Sequence, residues 1–153
     1  MDAEAIKSIA ELTRLDKIKT VTSQPLRWYV VGSDHGDHTA GNSVLPPGLT
    51  YVVHPFSKSK VQGEGAQATA MTGDAETIDV GGMSVVVRFL GRAHTGGDLL
   101  VELPRQKILF MSEVYLNRVF PAMRSAYPSE WVATVDKALA LPVTHFIPGH
   151  GFI

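Results

Sequence analysis

Cysteine is absent from the 153 residues of this chain. Thiolate metal sites and cysteine nucleophiles are therefore excluded, and the redox compartment is left open. An excess of one charge is absent too: 14 basic and 15 acidic residues leave a net charge of -1. That balance lacks the basic surplus that nucleic acid or an anionic membrane surface attracts, so neither is expected as a partner. No apolar run approaches the ~18 residues of a membrane span. Met1 to Leu12 mixes polar and apolar side chains without the pattern of a signal peptide. What is there is a hydrophobic fraction of 44%, ordinary for a globular protein. The length suits a single domain spanning 1–153. A chain of this size can bury roughly 68–70% of its unfolded surface and needs no disulfide to hold it.

Apolar periodicity outlines the elements. Ala3 to Leu15 places Ile6, Ile9 and Ala10 on one face and predicts an amphipathic helix. Leu26 to Val31 reads as a buried strand, His38 to Leu45 as a short helix ended by Pro46-Pro47-Gly48, and Thr50 to Val53 as a second strand. A helix is expected to start at Pro55 and run to Gln62, followed by a weakly patterned loop over 63–73. Gly81-Gly82 joins 76–80 to 83–90 as a hairpin, and Pro104-Arg105-Gln106 joins 98–103 to 107–111 as another. Ser129 to Leu141 has helical spacing with Ser129 as its cap, and Thr144 to Ile147 is a last strand. Strands in the middle with helices at both ends predict mixed α/β layers.

Chemistry gathers at strand ends. The stretch Asp34-His35-Gly36-Asp37-His38 packs two histidines and two aspartates directly after the first strand. A rigid strand fixes donor atoms, and the loop beyond it opens them to solvent. Imidazole with carboxylate suits zinc, with iron or manganese as alternatives. Three later segments repeat this design, placing His94, Glu113 and His150 just after apolar strands. If these strands lie side by side, their ends can converge on one site.

These residues and their order resemble the metallo-β-lactamase fold superfamily of metal-dependent hydrolases. The resemblance rests on a His-x-His-x-Asp-His pattern at 33–38, Gly-x-x-His-Thr-x-Gly-Asp at 91–98, an acidic position at 113 and Pro-Gly-His-Gly at 148–151. It implies a four-layer αββα sandwich, α/β in class, with metal at one edge. It also implies one metal site from position 33, His35 and His94, a second from Asp37, His38 and His150, and Glu113 as a bridge between them. Asp37 then belongs to the catalytic set. Two positions depart from the pattern: Ser33 stands where histidine is usual and Glu113 where aspartate is usual. Ser33 is read as a non-ligand that holds water or replaces an imidazole in hydrogen bonding; Asp34 is the other candidate for the missing donor. Members of the superfamily also carry strands ahead of the first helix and continue past the last turn. Here 32 residues precede Ser33 and three follow His150, so the resemblance implies an incomplete sandwich, truncated at both ends.

The resulting expectation is a hydrolase in which a metal-activated water cleaves an ester, thioester, lactone or amide-type bond of a small-molecule substrate. The superfamily includes β-lactamases, thioesterases of the glyoxalase II type, lactonases and nucleases, so fold alone does not choose among these. The run 117–127 offers Arg118, Arg124 and Tyr127 as substrate-lining candidates. His54 and His145 are read as structural, and Asp98 either as a turn cap or as a residue orienting a ligand histidine. Two alternatives stand beside the hydrolase: a degenerate member that binds metal or ligand without turnover, and a purely structural module. Because the Asp37, His38, His150 set is whole and the other lacks an imidazole, about one tightly held zinc ion per chain is expected. Elemental analysis of protein purified without chelator measures this, and well-folded protein with no transition metal would exclude it.

Overall fold

The computed structural model describes residues 15–61 and 68–152, and the side chains of Ser43 and Val44 are not described. The helix expected over Ala3–Leu15 lies, but for its last residue, outside the described residues.

Three sheets organise the described chain. The first is parallel and three-stranded: β1 (Trp28–Val30), β2 (Thr50–Val53) and β3 (Thr69–Ala70), in that order. The second has five strands in the order β4 (Ala75–Val80), β5 (Met83–Arg88), β6 (Leu100–Leu103), β7 (Ile108–Phe110) and β9 (His145–Ile147). The third pairs β8 (Leu116–Asn117) with β10 (His150–Gly151) in parallel. Four α-helices accompany them among the described residues: α1 (Asp16–Val21), α2 (Gly36–Thr39), α3 (Pro55–Lys58) and α4 (Pro128–Leu139).

Side-chain alternation builds the layers. In β2, Val52 faces one way and Tyr51 and Val53 the other, as period-two geometry requires. Val52 joins Met71, Ile78, Val87 and Leu99 in the core between the two larger sheets. Tyr51 and Val53 join Val31, Val61 and Ala68 on the outer face. On the far side of the five-stranded sheet, Leu100 and Leu109 pack with Ala138, Trp131 and Val135 of α4. Leu99, Leu100 and Leu109 are fully buried, each contributing about 1.5–3 kcal/mol. Two sheets face to face, with α4 covering the outer side of the five-stranded one, agree with the expected αββα layering.

Strand direction positions the site. The pairs β4–β5, β5–β6 and β6–β7 are antiparallel, whereas β7–β9 is parallel and uses α4 as its crossover. It follows that β5, β7 and β9 run in the same direction. The residues after them, His94, Glu113 and His150, emerge at one edge of the sandwich.

Several boundaries differ from the sequence reading. The hairpin at Gly81-Gly82 is present, with both glycines at positive φ (63° and 86°) as a tight turn of this kind demands. The region 63–73 is not all loop: Thr69–Ala70 pairs with Val52 and Val53, in a strand too short to show a period. The helix expected from His38 starts at Gly36 and passes into a 3-10 turn, Ala40–Val44. Thr39 closes that first turn by donating both its amide and its hydroxyl to the His35 carbonyl. The helix begun by Pro55 ends at Lys58. In α4 the cap is not Ser129; the helix begins at Pro128, whose missing N–H costs nothing at the first helical position, and no side chain caps it. It ends at Leu139, two residues before the expected Leu141. The pairing of β8 with β10 was not legible either, since each has only two residues.

Close backbone approach sets the edge where the site lies. A Cβ on Gly149 would run into the backbone of Ser112 beside Glu113. Gly149→Ala should therefore force the two segments apart and destabilise the fold by about 1–3 kcal/mol. Gly73→Ala, where nothing lies within 4 Å of the added methyl, should be neutral or slightly stabilising. Denaturant unfolding of both variants tests the contrast; equal effects would show that the 112–149 contact is not tight.

Candidate metal centre

Four segments deliver the donors. The loop after β1 is tied to the start of β6 by Leu99 N–H donating to the Gly32 carbonyl at 2.9 Å. His35 follows in extended conformation (φ -70°, ψ 154°) as the residue before α2. Asp37 and His38 then lie in the first turn of α2, where Asp37 is favoured by the helix dipole. The Tyr29 hydroxyl donates to the His38 carbonyl at 2.8 Å and anchors that turn to β1. His94 leaves β5, Glu113 sits in the single 3-10 turn 112–114 after β7, and His150 opens β10.

The other five candidate donors meet around Glu113, whose side chain is 3% exposed. Its Oε1 lies 2.7 Å from His150 Nε2 and 3.2 Å from His38 Nε2. Asp37 Oδ2 completes that half, 3.3 Å from His150 Nε2 and 3.5 Å from His38 Nε2. The other oxygen, Oε2, contacts His94 Nδ1 and lies 3.6 Å from His35 Nδ1. The ring pairs repeat the division: His38 and His150 meet edge-on at 5.2 Å, His35 and His94 at 4.7 Å. Within each half the donor atoms fall within 4.8 Å of one another.

Electrostatics show what such a centre accepts. Burial opposes ionisation of Glu113, but hydrogen bonds and positive charge from His38 and His94 hold its carboxyl well below the usual carboxylate range. Burial likewise opposes charge on His94, yet the Glu113 carboxylate and the Ala122 carbonyl raise its pKa above the ordinary imidazole value. His94 Nε2–H donates to Ala122 O at 2.7 Å. Its Nδ1 therefore faces a carboxylate, and only a proton or a cation can sit favourably between them. A buried carboxylate ringed by imidazoles, each half able to offer at least three donors to one point, fits a divalent ion of the zinc type.

Other sequence candidates fall around this centre. Asp34 does not turn to the donors: its Oδ2 accepts from Ser57 Oγ at 2.6 Å and faces Lys60 Nζ at 3.3 Å. Ser33 is fully buried, its hydroxyl has no hydrogen-bond partner among the described residues, and it joins neither donor group. Asp98 closes a turn, accepting from the Thr95 amide (2.7 Å) and hydroxyl (2.5 Å); burial raises its pKa in spite of both bonds. His54 accepts from the Phe56 amide at 3.2 Å and stacks on Phe89 at 4.0 Å, and burial lowers its pKa against the charge of Asp74. His145 is exposed and bonded to Thr144. Arg118 and Arg124 are exposed, and Tyr127 lies under the Arg92 guanidinium at 4.3 Å.

The sequence reading missed the outer partners of the histidines. Ser125 Oγ shares a 2.6 Å hydrogen bond with His35 Nε2, and Ala122 supplies the carbonyl to His94. Both lie in the run 117–127, but a lone serine and a backbone carbonyl carry no spacing signal.

Solved structures share this architecture. A metallo-β-lactamase from Pontibacter korlensis is 26% identical, with a TM-score of 0.76 over 90% of this chain and 67% of that one. The metallo-β-lactamase IND-7 is 21% identical, with a TM-score of 0.74 over 94% of this chain and 69% of that one. The metallo-β-lactamase FIM-1 from Pseudomonas aeruginosa, solved in a mono-zinc form, is 20% identical, with a TM-score of 0.71 over 90% and 65%. In sequence, the chain is 23% identical over 136 residues to the 2,4-dinitroanisole O-demethylase subunit beta of Nocardioides sp. (strain JS1661). That match takes in 86% of this chain, which spans 43% of the relative's length. No family model matches. The layering and the donor edge are those of a metal-dependent hydrolase type of fold. The chain is a metallo-β-lactamase-fold protein.

A bound ion would tie β10 to α2. Ligand that binds only the folded state stabilises it by about 2.7 kcal/mol at a hundredfold excess over Kd. Chelation should lower the melting temperature, and His150→Ala should lower it while removing most of the chelator effect. His145→Ala should leave that effect intact, because its side chain is exposed and outside the cluster. Identical behaviour of the two variants would refute the assignment of His150.

Proposed function

We propose that this single domain is the metal-dependent hydrolytic unit of a small-molecule hydrolase. The observation that carries the reading is the division of Glu113, with one oxygen turned to His38 and His150 and the other to His35 and His94. Zinc suits the donor set best, and iron or manganese are the alternatives. When bound, such an ion supplies Lewis acidity and lowers the pKa of water to about 7.

The chain's own residues supply the rest. Glu113 and Asp37 give the centre negative charge to hold a cation. Asp37, with a side chain 58% exposed, stands at the solvent side, where it can orient a water or take up its proton. Ala122 and Ser125 lock the outer nitrogens of His94 and His35, so the inner nitrogens face inward. Arg118 and Arg124, exposed on the run that contains these partners, are the groups we assign to an approaching substrate. The bond cleaved is of the ester, thioester, lactone or amide type, in keeping with neighbours named as β-lactamases. The relative named as an O-demethylase subunit adds an aryl methyl ether to the substrates worth testing.

Ser33 favours unequal halves, because position 33 is where the resemblance implies an imidazole for the His35–His94 side, and the buried serine there joins neither donor group. Ser33→His should raise the bound metal from about one ion per chain toward two. It should also speed hydrolysis of a panel holding an aryl ester, a thioester, a lactone, a β-lactam and an aryl methyl ether. Folded, metal-loaded protein that cleaves none of the panel, with or without the substitution, would replace the hydrolase by the metal-binding, non-catalytic reading.

A further inference from the structure

Asp34 lies between Ser33 and His35, next to the centre yet turned away from it. Its side chain is 2% exposed. A buried carboxylate is costly unless it is paired and hydrogen-bonded. Here Ser57 Oγ donates at 2.6 Å and Lys60 Nζ approaches both oxygens at 3.3 and 3.4 Å. Ser57 is fully buried in α3, and Lys60 follows one turn later, with its amide bonded to the Ser57 carbonyl at 2.9 Å. The ammonium of Lys60 also sits 4.1 Å over the Phe56 ring.

The same short helix packs against the turn after His94. A Cβ on Gly96 would meet the Phe56 ring at 2.7 Å, and one on Gly97 would run into Ser57 Oγ. One element therefore touches both loops that carry the histidines of the His35–His94 half. In an extended segment adjacent side chains point to opposite faces. Holding Asp34 against α3 thus turns His35 toward Glu113.

We propose that Ser57 and Lys60 are positioning residues for the His35–His94 half of the centre, acting through Asp34 and through the seat that α3 provides for the 94–98 turn. This rests on the reading of the cluster as a metal centre. The other half is held differently: the Tyr29 hydroxyl binds the His38 carbonyl, and β10 pairs with β8. Loss of the clamp should therefore affect one half and spare the other.

Titration of the metal-free full chain with Co2+, followed by calorimetry and by the visible cobalt spectrum, tests this. His150→Ala leaves the His35–His94–Glu113 half, and His35→Ala leaves the opposite half. Lys60→Met keeps the aliphatic stem, removes the charge at a half-exposed position and leaves the Ser57 donor to Asp34 in place, so it tests the clamp even if Ser57→Ala is not tolerated. In the His150→Ala background, Lys60→Met and Ser57→Ala should each weaken Co2+ binding by roughly tenfold or more and alter the spectrum. In the His35→Ala background the same changes should cost less than about twofold, and Lys60→Arg should behave as the parent in both. Equal losses in the two backgrounds, no loss in the first, or a His150→Ala protein that takes up no cobalt while the unsubstituted chain does, would overturn the inference and leave the hydrolase reading standing. An unsubstituted chain that takes up no cobalt would overturn both.

Discussion

One buried carboxylate governs the edge of this molecule. Glu113 is almost fully enclosed and kept ionised, so it must be surrounded by groups that carry or accept positive charge. Four histidines from three segments meet that requirement at once. Each is useful only if its backbone arrives at the right place. The demands on strand direction, loop length and close packing at this edge follow from that one buried charge.

The sandwich meets these demands with few devices. β5, β7 and β9 share a direction, so His94, Glu113 and His150 leave the sheet together. Gly149 lets the last segment press on the backbone beside Glu113. From the opposite sheet, the segment after β1 brings His35, and the first turn of α2 fixes Asp37 and His38. Outer bonds from Ala122 and Ser125 then decide which ring nitrogens face the carboxylate. The arrangement is prepared for a cation before one binds, which reduces the ordering cost of binding.

Asp34 and Asp98 show how far the supporting chemistry extends beyond the donors. Both are buried carboxylates next to a donor histidine or its turn, and neither joins the donor groups. Asp98 folds the turn after His94 onto itself through Thr95, while Asp34 reaches out to α3. In both cases a local polar bond replaces solvent and fixes backbone that would otherwise be a mobile loop.

The sequence by itself determined the layers and the identities of the metal donors proposed here. The apolar run of β5 and the helical period of α4 are visible in the sequence, and Gly81-Gly82 announces its turn. His35, Asp37, His38, His94, Glu113 and His150 were legible because histidine and carboxylate recur at strand ends in a recognisable order. Elements of two residues, β3, β8 and β10, were not, since a period needs more residues than they have. Only the tertiary structure decided the rest. That Asp34 turns to Ser57 and Lys60, that Ser125 and the Ala122 carbonyl hold the histidines, and that the buried Ser33 hydroxyl has no hydrogen-bond partner among the described residues all depend on contacts between segments tens of residues apart. Such contacts are set by strand order and packing, which leave no local trace in the chain.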